Sequence, residues 1–341
     1  MAGRIACFGE LLLRLGAPGR ELLLQSPALE VRIGGAEANV GVSLARFGHE
    51  VAMLGTVADN ALGRAALGEL RRHGVDTRAV RAVEGRMGLY FLAAGAGHRP
   101  SEVLYDRAAS AFALAPAAEY DWPVLLRGVG WLHLSGVTPA LGAATATAAA
   151  DAVRAAAALG VRVSFDGNFR PKLWAAWDGE PARILRPLLD GCEIAFADHR
   201  DIDVVLGAED GDGDAPHAQR FARAARRAFD AFPRLQRLAC TTRAQASVEH
   251  HALGALMATR AGELHQVEAR ELPGIVDRIG GGDAFAAGVL HGLLSGWDDQ
   301  ESLRFGHAAG CLKHSVPGDF NLCDAEDVLA LVRGERLDVK R

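Results

Sequence analysis

The sequence predicts an α/β fold: a doubly wound, mainly parallel sheet packed with helices, with a small β-lid beside it. Three observations carry this expectation. From residue 129 onward, short apolar runs alternate with helical patterns, as in a parallel sheet built from strand–helix units. Half of the 341 residues are apolar, enough for a large buried core. Two early β-rich segments, about 11–33 and 86–112, do not fit the alternation and read as a lid inserted in the main unit. No linker-like tract divides the chain, so residues 1–341 are expected to form a single domain.

The elements follow in order. Residues 4–9 (RIACFG) read as a buried strand ending in glycine. Residues 11–33 hold short apolar pieces broken by Gly16, Pro18, Gly19 and Pro27, which suits exposed β-structure better than helix. Gly34-Gly35 then opens a helical pattern that closes at Gly48. Residues 51–57 read as a second buried strand, 60–73 as a helix, and 88–107 as a hairpin turning near Gly97 to Pro100. Then come a strand at 130–136, an alanine-rich helix at 139–159, a strand at 161–167, a helix at 180–190, a strand at 192–197 and a helix at 198–206. Residues 207–216 are polar and turn-rich, a surface loop. A helix, a strand at 237–242, further strands to about 270 and three helices complete the chain.

Composition excludes several function classes. The formal charge is −5, from 37 basic and 42 acidic residues, and no basic run occurs, so nucleic acid is not an expected partner. Cys7, Cys192, Cys240, Cys311 and Cys323 are scattered without a C-x-x-C pair, which predicts free thiols rather than a zinc centre or disulfide framework. The first residues, MAGRIACFGELLLRLG, place Arg4, Glu10 and Arg14 inside the apolar stretch, unlike a signal peptide. No run of ~18 uncharged apolar residues is present. The expected location is the cytoplasm, without membrane contact. His250 and His251 would point to opposite faces of a strand, so they do not predict a metal site.

The strongest local signal is Asp277-Arg278-Ile279-Gly280-Gly281-Gly282-Asp283-Ala284-Phe285, running into a helix. Glycines at a helix start leave backbone N–H groups open to an anion, reinforced by the helix dipole. Such a nest suits a phosphoryl group in transfer, and Asp283 beside it can orient a hydroxyl and take its proton. The same helix end favours the ionised carboxylate, which makes it a weak base. A glycine-rich turn with Asp as a cap would look alike locally. No G-K-[ST] follows, so it is not a Walker A loop, and G-x-G-x-x-G is absent there. The second signal is Gly34-Gly35-Ala36-Glu37-Ala38-Asn39-Val40, where two glycines let a ligand approach the backbone and Asn39 offers an amide.

Together these two stretches, with SLARFG after the first and AAG after the second, resemble the two signatures of the PfkB, or ribokinase-like, carbohydrate kinases, in that family's order and spacing. The resemblance covers nearly the whole chain. It implies a ribokinase-like sheet with helices on both faces and a β-lid over the sugar. It also implies ATP and Mg2+ as cofactors, Asp283 as catalytic base, and Gly280, Gly281 and Gly282 as the anion nest. Gly9-Glu10, Tyr90, Tyr105-Asp106-Arg107, HLSGVTPAL (133–141), Asp166 to Trp174 (DGNFRPKLW) and Gly318-Asp319 resemble one branch, the 2-keto-3-deoxygluconate kinases. The implied reaction is phosphorylation of 2-keto-3-deoxygluconate at its primary hydroxyl, with the galactonate epimer as a close relative. The resemblance puts Gly34, Gly35, Asn39, Tyr90, Tyr105, Arg107, Arg170, Asp283 and Asp319 at the sugar. It puts Asn168, Arg170, Lys172, Thr241, Thr242, Gly280 and Gly282 at the nucleotide. An acid sugar carries a carboxylate, for which arginine is the natural bidentate partner; Arg107 and Arg170 are the candidates.

Three departures stand out. Arg278 occupies a position that is usually Thr or small in the family. The magnesium-supporting Asn-x-x-Glu is here Asp198-x-x-Asp201, expected to act through water. Thr241-Thr242-Arg243-Ala244 replaces the usual nucleotide loop. The alternatives are a neutral-sugar kinase of fructokinase or ribokinase type and a non-catalytic sugar-binding regulator. Lids in this family often pair between subunits, so a homo-oligomer through the lid is a further expectation.

Overall fold

The structure, a computed structural model, describes residues 3–207 and 214–335. The polar segment expected at 207–216 lies mostly outside the described residues. Thirteen strands are β1 Arg4–Phe8, β2 Leu12–Gly16, β3 Glu30–Gly34, β4 Val51–Ala58, β5 Val80–Val83, β6 Gly88–Ala93, β7 Glu102–Asp106, β8 Val129–Ser135, β9 Arg162–Asp166, β10 Ile194–Phe196, β11 Arg237–Ser247, β12 His250–Thr259 and β13 Leu264–Pro273. The helices are α1 Ala36–Arg46, α2 Ala61–Arg72, α3 Trp122–Leu125, α4 Ala143–Leu159, α5 Pro171–Trp174, α6 Pro181–Asp190, α7 His199–Leu206, α8 His217–Ala231, α9 Gly281–Leu294, α10 Asp299–Lys313 and α11 Ala325–Val332.

Nine strands form one sheet in the order β13-β12-β11-β10-β9-β8-β1-β4-β5. From β11 to β5 every neighbouring pair is parallel; β12 and β13 are antiparallel additions at one edge. β4 is buried along its whole length, as expected of a strand covered on both faces. Alternation along β1 sorts its side chains by face. Ala6 and Phe8 join one apolar cluster, which also holds residues of α4, α6, α7 and α8. Ile5 and Cys7 join the other, with residues of α1, α2, α9 and α10. All five cysteines are free. No helix among the described residues is long and apolar enough to cross a membrane.

The lid is a four-stranded sheet in the order β3-β2-β6-β7. Its outer pairs are antiparallel and its central β2–β6 pair is parallel, so two chain segments far apart in sequence meet there. Leu12, Tyr90 and Leu92 form a small apolar cluster under it, against Tyr105 and Ile279. β5, α3 and α5 were not expected from the sequence, and β11 runs on to Ser247, well past the strand expected at 237–242. Its outer half pairs with β12 from Thr242 to Ser247, and that ladder keeps the chain extended beyond the expected strand end.

Candidate active site

The order in which the chain adds strands reverses at β1, which has β4 on one side and β8 on the other. Ligands of open α/β sheets bind beyond the carboxyl ends of strands at such a point. A cavity of about 420 Å3 opens there, walled by the lid, by the residues after β9 and by the start of α9.

Asp283 stands in the first turn of α9, 9% exposed, and its Oδ2 accepts a hydrogen bond of 2.6 Å from Asn39 Nδ2 on α1. Oδ1 has no hydrogen-bond partner among the described residues and belongs to a residue lining the cavity. Burial pushes the carboxyl up to about 7, against the pull of the Asn39 hydrogen bond and the Arg170 charge. This reverses the sequence-based expectation of a weak base: desolvation of the carboxylate outweighs the helix end that favours its charge. A group with this value is half ionised near neutrality, which suits a general base.

The turn before α9 has one demanding position. Gly280 has φ +81°, and a Cβ there would run into the Asp319 carbonyl oxygen. The Gly281 N–H is not free for an anion, since it donates to the Arg278 carbonyl at 3.2 Å, and its α-carbon faces the His314 ring. Gly282 instead faces open space: a methyl group on its α-carbon would meet nothing within 4 Å. The N–H groups of Gly282 and Asp283 lie in the first helical turn, where no intrahelical acceptor exists. These two are the donors presented to the cavity.

The lid supplies the opposite wall. Tyr90 and Tyr105 face each other across β6 and β7. The Tyr90 hydroxyl donates to Asp319 Oδ2 at 2.6 Å, and Arg14 Nη1 donates to Asp319 Oδ1 at 3.0 Å, so both carboxylate oxygens are engaged. Arg14 also pairs with Asp277 at 2.7 Å. Gly34 makes room for this network, because a Cβ there would collide with the Asp319 carboxylate. Arg107, just after β7, donates from Nε to Glu10 Oε2 at 2.7 Å. Glu10 is 1% exposed, so this pair is buried; Ser110 Oγ holds the other carboxylate oxygen. Neither Nη of Arg107 has a protein partner among the described residues, and Arg107 lines the cavity. Deeper in, Glu37 Oε1 accepts from Ser135 N at 3.1 Å, Ser135 Oγ at 2.7 Å and Thr138 Oγ1 at 2.8 Å. Those bonds fix α1 to the end of β8 and with it Asn39.

Acidic groups gather behind Arg170. Asp166, at the end of β9, is held well above the usual carboxylate range by burial and then by the charges of Asp283 and Asp201. Burial pushes Asp201 up to about 6. Asp198 and Asp201 form a capping box at the start of α7, and Asp198 also accepts from Arg200 at 2.9 Å. Asp198 is therefore engaged, whereas Asp201 keeps Oδ1 free of hydrogen bonds among the described residues. Asp166 and Asp201 thus retain oxygen atoms that fit a hard cation through water, whereas Asp198 stands with His199 and His217 in a separate group whose ligand atoms lie within 4.8 Å of one another.

Of the residues singled out from the sequence, the structure brings Gly35, Asn39, Tyr90, Tyr105, Arg107, Asn168, Arg170, Gly280, Gly282, Asp283 and Asp319 around one cavity. It leaves Gly34, Lys172, Thr241, Thr242, Gly281, Asp198 and Asp201 off the lining. Lys172 is exposed on α5. Sequence reasoning gave no role to Asp166, Arg243 and Arg278, which do line the cavity, nor to Glu37, Glu10 and Arg14, which brace it. Glu37 lies inside the glycine-led motif and Gly9-Glu10 was noticed, but a charged residue's buried partner is not written in its own segment.

The family model described as "pfkB family carbohydrate kinase" matches residues 2–325. A 2-dehydro-3-deoxygalactonokinase of Haloferax volcanii is 32% identical over 341 residues, covering 100% of both chains. A 2-dehydro-3-deoxygluconokinase of Bacillus subtilis is 27% identical over 302 residues, covering 87% of this chain and 85% of its own. The crystal structure of 2-dehydro-3-deoxygluconokinase from Thermotoga maritima superposes with a TM-score of 0.90 at 35% identity, covering 97% of this chain and 99% of that one.

Proposed function

Because the chain belongs to the PfkB family of carbohydrate kinases, we propose that it transfers the terminal phosphoryl group of ATP to the primary hydroxyl of 2-keto-3-deoxygluconate, giving the 6-phosphate. The observation that carries this reading is Asp283, buried, oriented by Asn39 and set beside the unsatisfied N–H groups of Gly282 and its own backbone. The sugar hydroxyl approaches Asp283 Oδ1, which positions it and accepts its proton as the new P–O bond forms. The Gly282 and Asp283 N–H groups receive the charge on the equatorial phosphoryl oxygens, aided by the helix dipole and Arg170. The bond to the leaving ADP oxygen breaks in line, so what the chain must supply is position and electrostatics. Magnesium, when bound with the nucleotide, neutralises phosphate charge; Asp166 and Asp201 are the residues that would hold it through water.

At the lid end, the free Nη groups of Arg107 offer a fork to the substrate carboxylate, while Glu10 fixes the guanidinium in place. Tyr105 closes over the sugar. The galactonate epimer is a second reading, favoured by the full-length similarity to the Haloferax enzyme. Free cysteines and an intracellular phosphoryl donor fit a cytoplasmic setting. Exposed Leu22, Leu24, Val31 and Leu104 on the lid fit pairing of two copies there.

A coupled ADP-release assay tests the substrate class. With 2-keto-3-deoxygluconate, its galactonate epimer, gluconate, fructose and ribose compared at equal concentration, the two ketodeoxy acids should lead in kcat/KM. Fructose is expected to trail, because it leaves the Arg107 fork unpaired. Fructose matching the keto acids would sink the acid-sugar reading and leave the carbohydrate-kinase assignment standing.

A further inference from the structure

The arginines in and beside the cavity fall into two groups. Arg14 and Arg107 are neutralised by buried carboxylates, Asp277 and Asp319 for one and Glu10 for the other. Arg243 on β11 and Arg278 before the glycine turn have no side-chain hydrogen bond and no ion pair among the described residues. They line the same cavity, close enough for their charges to repel. Arg170 shares that wall and donates only to the neighbouring Phe169 carbonyl, at 3.2 Å. Like charges held together without a counter-ion raise the energy of the empty site, and an anion relieves that.

The anion must be a strong one. Arg170 is partly offset by Asp283, Asp166 and Asp201, but Arg243 and Arg278 together with the N-terminus of α9 still exceed what a single carboxylate requires, and Arg107 already serves the lid end. Position points the same way. Arg278 stands two residues before Gly280, at the mouth of the turn whose free N–H groups lie at Gly282 and Asp283. The unexpected length of β11 is what carries Arg243 to the cavity: Arg243 pairs with Leu253 in the β11–β12 ladder, beyond the residues that pair with β10.

We propose that Arg243 and Arg278, with Arg170, form a guanidinium clamp on the phosphate chain of the donor nucleotide. The proposal rests on the kinase reading, but not on which sugar is the acceptor. Guanidinium forks bind phosphate oxygens bidentately, so the clamp fixes the orientation of the chain for in-line transfer as well as its charge.

The test uses the full-length chain with Arg243→Met, Arg278→Met and the double variant. Two measurements are read: steady-state kinetics with the best acceptor, and thermal unfolding with and without sodium tripolyphosphate. Each single variant should raise the KM for ATP by ~10-fold or more, since one charged hydrogen bond is worth about that factor. The KM for the sugar should stay within roughly twofold. Without ligand the variants should unfold at the wild-type temperature or above it, because a repulsion has been removed. Tripolyphosphate should stabilise the wild type clearly more than the double variant, which keeps only Arg170 and the backbone donors. An increase confined to the KM of the sugar acid, or a tripolyphosphate stabilisation kept in full in the double variant, would overturn the clamp. Variants that lose stability without ligand would also count against it, as the arginines would then be structural. If the wild type transfers phosphate to a neutral sugar instead, the substrate reading fails while both measurements still judge the clamp.

Discussion

Asp283 is a carboxylate whose neighbours disagree. Burial, Glu37 and Asp319 favour the neutral form; Asn39 and Arg170 favour the charged one, and the balance lies at about 7. Two consequences follow with opposite signs. For turnover, the ionised form is the active one, so kcat/KM should climb with pH and level off above about 7. For stability, a carboxyl raised in the folded state favours folding fully below its unfolded value, and that contribution is lost as pH rises through about 7. Asp283→Asn removes both at once. Turnover should fall ~10²–10⁴-fold, as for loss of a general base. Thermal stability at pH 8 should equal or exceed that of the wild type, and the gap should close at pH 5. Near-normal turnover in this variant, or a wild-type rate that falls as pH rises from 6 to 8, would remove Asp283 from the role.

At the scale of elements, the start of α9 and the lid each make a separable claim. The three glycines of the turn are not equivalent. Gly280 has the left-handed backbone, Gly281 is packed against His314, and only Gly282 faces open space. Gly282→Val should therefore leave the melting temperature near that of the wild type and still abolish most turnover, because its side chain takes the place of the phosphoryl oxygens. Retained turnover would mean that the turn holds no anion. The Arg107–Glu10 pair ties the lid to the end of β1. Arg107→Ala should raise the KM for the keto acid roughly ten- to a hundredfold. It should also destabilise the protein by about 3 kcal/mol or more, since Glu10 is left buried without its arginine partner. Arg107→Ala combined with Glu10→Gln separates the two effects. The double variant should recover much of the stability and none of the keto-acid affinity. Recovery of both would reduce Arg107 to a strut.

Across the whole molecule, the sheet was legible because its signal is local. Buried runs such as residues 51–57 and the helical pattern closing at Gly48 announce themselves within a few residues, and both lie where expected. The lid was legible only by exception, as two β-rich segments that broke the alternation; their parallel β2–β6 pairing is a tertiary fact. In the site, the motif residues Asn39, Gly280, Gly282 and Asp283 did meet, while Gly281 turned to His314. What sequence could not reveal was pairing across long separations. Arg14 with Asp319 spans 305 positions and Arg107 with Glu10 spans 97, so the engagement of Asp319 and the anchoring of Arg107 had no local trace. The same holds for the Asp283 carboxyl: its helix position was readable, but the burial that dominates it is a tertiary property.

Sheet, lid and turn together serve one event, the movement of a phosphoryl group onto a sugar-acid hydroxyl. Phosphorus NMR of a reaction mixture of the wild-type protein, ATP, Mg2+ and 2-keto-3-deoxygluconate observes that event itself. The account predicts one new phosphomonoester signal, coupled to the terminal CH2 protons, growing in step with ADP. ADP accompanied by free inorganic phosphate alone, or ATP left unchanged with both ketodeoxy acids, would contradict it.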